Sequence, residues 1–226
     1  MTNMYDVIIP AAGMGKRMQA DKNKVLLQLQ SKSILEHTLE TFQSDDNCRA
    51  IHLAAQKDEL EMLKAMSKAY NKIEVVTVGG SERQYSIYNV LKAIQPCDYV
   101  FIHDAARPFV TPETLYKLYT KVQQYKSVVA AVKVKDTVKR VIDFQVEETL
   151  NREELWQIQT PQAFSYHLLL EAYNKADEDD FLGTDDASLV ERLYPVNIVE
   201  SDYDNIKITT PEDMFFAEAI LKKRGI

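Results

Sequence analysis

The 226-residue sequence lacks an apolar run long enough to span a membrane. Its longest run, residues 128–134, is interrupted by Lys133 and falls well short of the roughly 20 residues that a membrane-spanning helix needs. The basic start and small-residue cleavage site of a signal peptide are also missing, because a strand-like stretch begins at Asp6. We therefore expect a cytoplasmic protein that does not associate with a membrane.

Cysteine and histidine are scarce as well. Cys48 and Cys97 form neither a C-x-x-C pair nor a local cluster with histidine, which predicts two partly buried apolar side chains and no disulfide framework. Histidine occurs only at positions 37, 52, 103 and 167, and no two of these have the spacing of a helical metal site. These absences argue against a disulfide-rich protein and against a zinc enzyme.

An excess of positive charge is the third missing feature. Lys and Arg number 27 against 34 Asp and Glu, for a net charge of −7. A broad nucleic-acid surface would need clustered basic side chains. The sequence therefore predicts no nucleic-acid partner, and an anionic small molecule would have to bind in a local pocket.

What is present is an alternation of short β-rich runs with longer amphipathic segments. This pattern is typical of an α/β, Rossmann-like fold, a mostly parallel sheet with helices on both faces. The predicted strands cover residues 6–10, 50–55, 74–78, 99–103, 128–134 and 196–200. The predicted helices cover residues 34–42, 57–70, 82–94, 112–125, 166–176 and 186–193, and a last helix begins at Pro211.

One stretch breaks this rhythm. Residues 135–155 alternate with period two around Val138, Val141 and Val146, which predicts a protruding β-hairpin arm. An isolated two-stranded hairpin is only marginally stable in water, so the arm needs a surface to pack on, and a second subunit is the natural candidate. No internal repeat or long linker is visible. We expect one domain over residues 1–226, with a dimerisation arm at about 135–155.

A turn rich in small residues follows the first predicted strand and includes Ala11, Ala12, Gly13 and Gly15. Such a turn lets backbone N–H groups approach a phosphate, and it lies where open α/β sheets bind nucleotides. A dinucleotide fingerprint would need glycine in place of Met18, and no Walker A pattern occurs, which disfavours a dehydrogenase and a P-loop ATPase.

Two cations lie just beyond this turn. Arg17 or Lys24 alone could be an ordinary solvated surface charge, and the turn alone could be no more than a turn. Together they indicate a triphosphate site.

A second glycine turn, Gly79-Gly80, follows the third predicted strand. It could hold a base or a ribose through backbone contacts, with Ser86 binding a polar edge. Alternatively, it is only a turn with Ser81 as the helix cap. The residues themselves leave both interpretations open.

Further polar groups lie at the ends of other elements. Asp104 and Arg107 follow the fourth strand after His103, and could either bind a ligand or pair with each other. Asp186 could be an ordinary acid in a first helical turn, and Lys207 the polar position of an ordinary strand. Periodicity does not decide between these interpretations.

As a set, these segments resemble the 2-C-methyl-D-erythritol 4-phosphate cytidylyltransferases of the non-mevalonate route to isoprenoids. The matching motifs run in the family's order from about Tyr5 to Ala219. They are Ala11-Ala12-Gly13-x-Gly15-x-Arg17, Lys24, Gly79-Gly80-x-x-Arg83-x-x-Ser86, His103-Asp104-Ala105-Ala106-Arg107-Pro108, Asp136-Thr137, Arg152, Gln159-Thr160-Pro161-Gln162, Thr184-Asp185-Asp186-Ala187 and Asn205-Ile206-Lys207-x-Thr209.

The resemblance implies a nucleotidyltransferase-type fold and a homodimer clasped by the arm. It also implies transfer of the cytidylyl group of CTP to 2-C-methyl-D-erythritol 4-phosphate, which gives 4-diphosphocytidyl-2-C-methyl-D-erythritol and pyrophosphate. The implied catalytic residues are Arg17, Lys24, Arg152 and Lys207. The implied CTP contacts are Ala11, Ala12, Gly13, Gly15, Gly80 and Ser86. The implied acceptor contacts are Asp104, Arg107, Thr160, Thr184 and Lys207, with Thr137 and Arg152 from the partner's arm.

The chemistry of this reaction explains which residues are not needed. A phosphate monoester loses its second proton near about pH 6, so at neutral pH the acceptor is mostly ionised and needs no catalytic base. The demand is electrostatic, because two anions must meet. Mg²⁺ would lie mainly on the CTP phosphates, and Asp104 is the carboxylate expected to support it.

Two alternatives stay open. The ribitol 5-phosphate cytidylyltransferases share the fold and a similar first loop. A catalytically silent nucleotide-binding subunit that has kept the fold is the other possibility. The joint presence of Arg17, Lys24, Arg152 and Lys207 argues against a silent subunit.

Overall fold

The computed structural model describes residues 4–13 and 23–225. The strands, in chain order, are β1 (Tyr5–Pro10), β2 (Gln28–Leu29), β3 (Lys32–Ser33), β4 (Cys48–Ala55), β5 (Ile73–Val78), β6 (Tyr99–Ile102), β7 (Ser127–Lys133), β8 (Lys139–Ile142), β9 (Gln145–Thr149), β10 (Trp156–Ser165) and β11 (Asn197–Glu200). The helices are α1 (Ile34–Gln43), α2 (Leu60–Ser67), α3 (Arg83–Ala93), α4 (Pro112–Tyr125), α5 (Tyr166–Glu178), α6 (Asp186–Val190) and α7 (Pro211–Arg224).

Seven of the strands form one sheet in the order β11-β7-β10-β6-β1-β4-β5. Six of them run in the same direction, and β10 lies antiparallel between β6 and β7. The predicted α/β class with a mostly parallel sheet is confirmed. Strand β10 was not predicted, because Pro161 interrupts its sequence. In the structure, the register of β10 against β7 shifts between Ile158 and Gln162.

The predicted elements agree with the observed ones to within two residues at each end, apart from two helices. The helix predicted over 57–70 is a 3₁₀ turn (Lys57–Glu59) followed by the shorter α2, and the helix predicted over 186–193 ends at Val190. Helices α4 and α7 begin at prolines, and their caps are formed by Thr111 and Thr210.

The alternation of side chains along β1 explains why helices cover both faces of the sheet. Val7 and Ile9 pack into a core completed by α1, α2 and α4, whereas Ile8 packs into a second core with α3, α5 and α6. Within residues 4–13 and 23–225, no helix combines the length and the apolar character needed to cross a membrane.

The parallel strands place several loops at one edge of the sheet. Strand β1 lies between β4 and β6. The chain continues from β1 to β4 and β5 on one side of β1, and it later returns to form β6 on the other side. The loops after β1, β5 and β6 therefore meet around the point where the strand order reverses. Open α/β sheets bind their ligands in this crevice.

The arm predicted at about 135–155 contains an antiparallel β-hairpin, β8 paired with β9. Every residue in both strands is exposed. Asp143 and Phe144 join the strands with φ values of 47° and 62°, the backbone of a two-residue type I′ turn. The Phe144 side chain is fully exposed at the tip.

Candidate active site

A cavity of about 410 Å³ opens at the carboxyl edge of the sheet. It brings together residues from five separate stretches of the chain, which is the arrangement expected of a binding site at a topological switch point. Its lining residues are Pro10, Ala12, Gly13, Lys24, Val25, Gly80, Ser81, Glu82, Arg83, Ser86, Asp104, Ala105, Ala106 and Lys207.

The loop after β1 forms one wall. Ala11 is buried and its N–H donates to the Ala54 carbonyl at 2.8 Å, so this residue anchors the loop and does not line the cavity. Ala12 and Gly13 do line it, and a Cβ added to Gly13 would meet nothing within 4 Å. Packing in the described chain therefore does not require glycine at position 13. Gly15 and Arg17 lie outside the described residues.

Asn23 fixes the loop after β1 to neighbouring segments of the chain. Its side-chain amide donates to the Ala11 carbonyl at 2.7 Å and to the Glu59 carboxylate at 2.8 Å, and its side-chain oxygen caps the 3₁₀ turn that begins at Lys24. The sequence analysis missed Asn23. The sequence carries no signal for these contacts, because Ala11 and Glu59 lie 12 and 36 residues away from Asn23.

The glycine turn after β5 packs against the loop after β1. A Cβ on Gly79 would lie 2.6 Å from the Cβ of Ala12 and 2.8 Å from the Ser86 hydroxyl, so packing excludes any side chain there. Ser86 accepts a hydrogen bond from the Gly80 N–H at 3.0 Å and donates to the Glu82 carbonyl at 3.0 Å. These bonds fix the turn against the start of α3.

A cluster of charges forms the floor of the cavity. The Asp104 carboxylate lies 3.1 Å from Arg83 Nε, 2.8 Å from Lys207 Nζ and 3.6 Å from Arg107 Nε, and its side chain is only 9% exposed. Burial alone would raise the pKa of Asp104, but the charges of Arg83, Lys207 and Arg107 outweigh it and hold the pKa far below its usual range. Asp104 is therefore an anion that orients the Lys207 ammonium group.

Arg83 was present in the predicted motif but was not predicted as a site residue. Its guanidinium group bridges two carboxylates, Asp104 and Asp186, the latter at 2.8 Å. Asp186 in turn accepts a hydrogen bond from the Tyr173 hydroxyl. Among the described residues that line the cavity, the three cations Lys24, Arg83 and Lys207 face the two carboxylates Glu82 and Asp104, so the lining carries a net charge of +1. This charge suits an anionic ligand.

Three predicted acceptor contacts do not line this cavity. Thr160 is 5% exposed, and its hydroxyl accepts a hydrogen bond from the Asp104 N–H. Arg107 donates to the Asn205 carbonyl at 2.8 Å. Thr184 lines a neighbouring cavity of about 180 Å³, which shares Glu82 and Arg83 with the first.

Two further predicted residues lie at the base of the arm. Thr137 and Arg152 are exposed, and the Arg152 guanidinium donates to the Lys135 carbonyl at 2.9 Å. Neither residue lines the cavity of its own chain. The predicted site residues that the structure describes therefore form two groups. One group lies in or beside the cavity within a single chain, and the other is the pair Thr137 and Arg152 on the arm.

The cavity does not offer a ready-made metal cage. Within the described ranges, no three His, Cys, Asp or Glu side chains lie close enough together to hold a metal ion. Both Asp104 oxygens already face cationic groups, so direct coordination by this carboxylate would require a metal ion to displace them. Asp104 therefore does not fit the position of a direct metal ligand.

Cys48 and Cys97 are free thiols, Cys48 buried and Cys97 half-buried, in accord with the predicted absence of a disulfide framework.

Comparisons with known proteins agree with this geometry. Residues 5–223 match the family described as IspD, 2-C-methyl-D-erythritol 4-phosphate cytidylyltransferase. The enzyme of that name from Lysinibacillus sphaericus is 46% identical over 225 residues, which cover 98% of this chain and 97% of the relative. The one from Bacillus velezensis is 48% identical over 223 residues, 96% of each chain.

Solved structures give the same result. The crystal structure of 4-diphosphocytidyl-2C-methyl-D-erythritol synthase from Anaerococcus prevotii superimposes with a TM-score of 0.87 at 36% identity and covers 97% of this chain and 96% of its own. The 2-C-methyl-D-erythritol 4-phosphate cytidylyltransferase from Thermus thermophilus gives a TM-score of 0.80 at 30% identity, with 97% and 99% covered. The chain therefore belongs to the 2-C-methyl-D-erythritol 4-phosphate cytidylyltransferase family.

Proposed function

We propose that this chain transfers the cytidylyl group of CTP to 2-C-methyl-D-erythritol 4-phosphate and releases pyrophosphate, a step of non-mevalonate isoprenoid biosynthesis. The observation that carries the proposal is the cavity at the edge of the sheet, where the loop of Ala12 and Gly13 faces Lys24 and Lys207. A loop that admits phosphates, together with two ammonium groups that line the same cavity, suits a reaction in which two anions meet. Family membership supports the cytidylyl group and the acceptor.

In the proposed reaction, an oxygen of the acceptor phosphate attacks the α-phosphorus of CTP in line with the leaving group. A P–O bond forms there, and the bond from the α-phosphorus to the pyrophosphate oxygen breaks. The attacking phosphate is mostly dianionic at neutral pH, so it needs no base. The buried His103 in the adjacent loop is accordingly not required as a proton acceptor.

The roles of the cations follow from their positions. Lys24 and Arg17 follow the loop after β1 in the chain, and we assign them to the negative charge that develops on the α-phosphoryl group and pyrophosphate. Lys207 is held by Asp104 at 2.8 Å, and we assign it to the acceptor side. Fixed charges of this kind act without reorganisation during the reaction, which is why they accelerate it.

The nucleotide base is proposed to bind between the loop after β1 and the glycine turn. Ala12 packs directly against Gly79, which holds the two loops together, and we propose that backbone groups of these loops match a pyrimidine edge. Ala12, Gly13, Gly80 and Ser86 are the residues of this proposed CTP site that line the cavity. CTP is therefore expected to be strongly preferred over ATP and GTP.

We propose that Mg²⁺ enters with CTP, bound mainly to phosphate oxygens. Magnesium commonly keeps several waters and binds substrate phosphates without a full protein cage, which suits a cavity whose carboxylate is already paired. When bound, it would neutralise part of the triphosphate charge. The protein's own residues hold the nucleotide and orient the cations.

We also propose that the chain works as a homodimer in the cytoplasm, where its two free cysteines would remain reduced. The hairpin of β8 and β9 would pack on the partner subunit, and Thr137 and Arg152 would enter the partner's cavity. Their exposure and their absence from the cavity of their own chain support this arrangement.

The proposed activity is tested by following pyrophosphate release from purified protein with CTP and Mg²⁺ and either 2-C-methyl-D-erythritol 4-phosphate or ribitol 5-phosphate. The first acceptor should have by far the larger kcat/KM, because a site built to bind hydroxyl groups leaves polar groups unpaired with the wrong polyol. Equal or inverted values would assign the chain to ribitol phosphate chemistry. CTP binding without pyrophosphate release from any acceptor would indicate a silent nucleotide-binding subunit.

A further inference from the structure

His103, at the end of β6, is completely buried behind the cavity floor. Its Nε2 lies 2.9 Å from the Arg107 carbonyl oxygen. A carbonyl only accepts hydrogen bonds, so Nε2 carries the proton of this bond. The ring edge also packs against Phe42, with 5.0 Å between the ring centres, which fixes its orientation.

The other ring nitrogen must then be an acceptor. Burial lowers the pKa of His103 to about 4, so the imidazole is neutral at physiological pH and Nδ1 carries no proton. Nδ1 lies 3.1 Å from the Thr160 hydroxyl oxygen. The Thr160 hydroxyl therefore donates its only proton to His103 Nδ1.

Thr160 completes a directed chain of hydrogen bonds. Its hydroxyl oxygen accepts the Asp104 N–H at 3.0 Å, and its proton goes to His103. The side chain does not line the cavity and is 5% exposed. No proton remains on this hydroxyl for a hydrogen bond to a substrate oxygen.

The hydrogen bonds of His103 and Thr160 hold both ends of one turn. Asp104 N–H is bound by Thr160, the Arg107 carbonyl is bound by His103, and Arg107 N–H donates to the Asp104 carbonyl at 3.0 Å. The backbone of the turn from Asp104 to Arg107 is therefore fixed at three points. The Asp104 carboxylate, which orients Lys207, depends on this backbone for its position.

We propose that His103 and Thr160 are positioning residues that act together, and that Thr160 serves the reaction through Asp104 and Lys207 and not by contact with the acceptor. This inference rests on the proposed function, because its kinetic test uses that reaction. It replaces the direct acceptor contact that the sequence resemblance implied for Thr160.

A double-mutant cycle tests the proposal. Thr160→Val removes the hydroxyl with little change of shape, and His103→Phe removes both ring nitrogens. Each should lower kcat/KM for the acceptor by roughly tenfold, since a buried N–H or carbonyl loses its partner. The KM for CTP should stay within about twofold. Thr160→Ser keeps the hydroxyl, so this conservative variant should recover most of the kcat/KM that Thr160→Val loses.

The double variant decides between the two roles of Thr160. If both residues act through one chain of hydrogen bonds, Thr160→Val adds at most about twofold to the loss already caused by His103→Phe. If Thr160 contacts the acceptor directly, the two losses multiply to roughly a hundredfold, and the proposal is wrong. Thermal unfolding of each variant identifies losses that come from misfolding.

A second measurement needs no variant and no turnover. ¹⁵N NMR of the wild-type protein at pH 7 should show His103 as a neutral imidazole protonated at Nε2, with Nδ1 unprotonated and hydrogen-bonded. A proton on Nδ1, or an imidazolium ring, would overturn the proposed chain. Because this spectrum does not depend on catalysis, it also separates a failure of this proposal from a failure of the proposed reaction.

Discussion

The arm and the cavity floor both contain ion pairs of similar length, but their surroundings differ. On the arm, Arg140 and Glu148 lie 3.0 Å apart with side chains that are 63% and 48% exposed. In the floor, Lys207 and Asp104 lie 2.8 Å apart with side chains that are 37% and 9% exposed. Water screens the first pair, whereas the second acts in a poorly solvated site. The same interaction can therefore be dispensable in one region and essential in the other.

The apolar side chains of the two regions show the same contrast. The strands beneath the cavity bury theirs within the chain, whereas the arm exposes its apolar groups, of which Phe144 is the most exposed. Val141, Ile142 and Val146 are each more than half exposed. The cavity floor is thus held by its own chain, whereas the arm leaves apolar side chains exposed, which is why we propose that it packs on a partner subunit.

The largest effect is expected from a charge placed at the tip of the arm. We expect Phe144→Asp to raise the dimer dissociation constant by about 10²- to 10⁴-fold, since burying one phenylalanine contributes about 1.5–3 kcal/mol and a two-fold dimer buries two. Sedimentation equilibrium measures the change. Phe215→Asp, at a phenylalanine that is 73% exposed on α7, is the matched control. An unchanged dissociation constant would remove the arm tip from the interface.

Removing the negative charge of the cavity floor should have an effect nearly as large, but on the free energy of unfolding and not on dimerisation. Asp104→Asn leaves the charges of Arg83, Arg107 and Lys207 without their shared anion, and breaking a buried pair costs about 3–5 kcal/mol. Urea unfolding at fixed protein concentration should show this loss. A change below about 1 kcal/mol would mean that solvent screens the cluster as it screens the arm.

The buried imidazole of His103 predicts that the stability of the protein depends on pH. With the pKa of His103 lowered to about 4, the unfolded chain binds a proton between pH 6.5 and 4 that the folded chain does not. Stability should therefore fall as the pH is lowered through this window, by about 3 kcal/mol in total from this group. Urea unfolding of wild type and His103→Gln at several pH values isolates the term, and parallel curves would contradict it.

The smallest effect is expected at the arm's own ion pair. Glu148→Gln removes the partner of Arg140, yet the free energy of unfolding should change by less than about 0.5 kcal/mol, because both side chains are largely solvated. The same urea experiment as for Asp104→Asn gives the comparison directly. A loss as large as that of Asp104→Asn would show that the arm is less solvated than its exposure indicates.

Much of the fold could be predicted from local sequence patterns. The capped starts of α4 and α7 and the apolar runs of the parallel strands depend on neighbouring residues, so they are visible in the sequence. Strand β10 is different, because its insertion between β6 and β7 is decided by tertiary packing. The hairpin was predictable since its period-two alternation persists even without a core.

The site was predictable in part for the same reason. Small-residue turns after strands predicted a cavity, and the structure brings Gly13, Gly80 and Lys207 together there. The hydrogen bonds of Asn23 and the bridging position of Arg83 were not predictable, because each depends on partners far away in the sequence. Long-range pairing of this kind leaves no periodic signal.

The central claim is that each site combines the cavity of one chain with the arm of another, and mixed dimers test it most directly. Lys24→Ala and Arg152→Ala should each lower kcat by roughly 10² or more. When the two variants are co-refolded, random pairing makes about half of the dimers mixed, and each mixed dimer contains one site with neither defect. About a quarter of all sites should then recover wild-type activity. Activity no higher than that of the separate variants, despite demonstrated subunit exchange, would contradict the shared site.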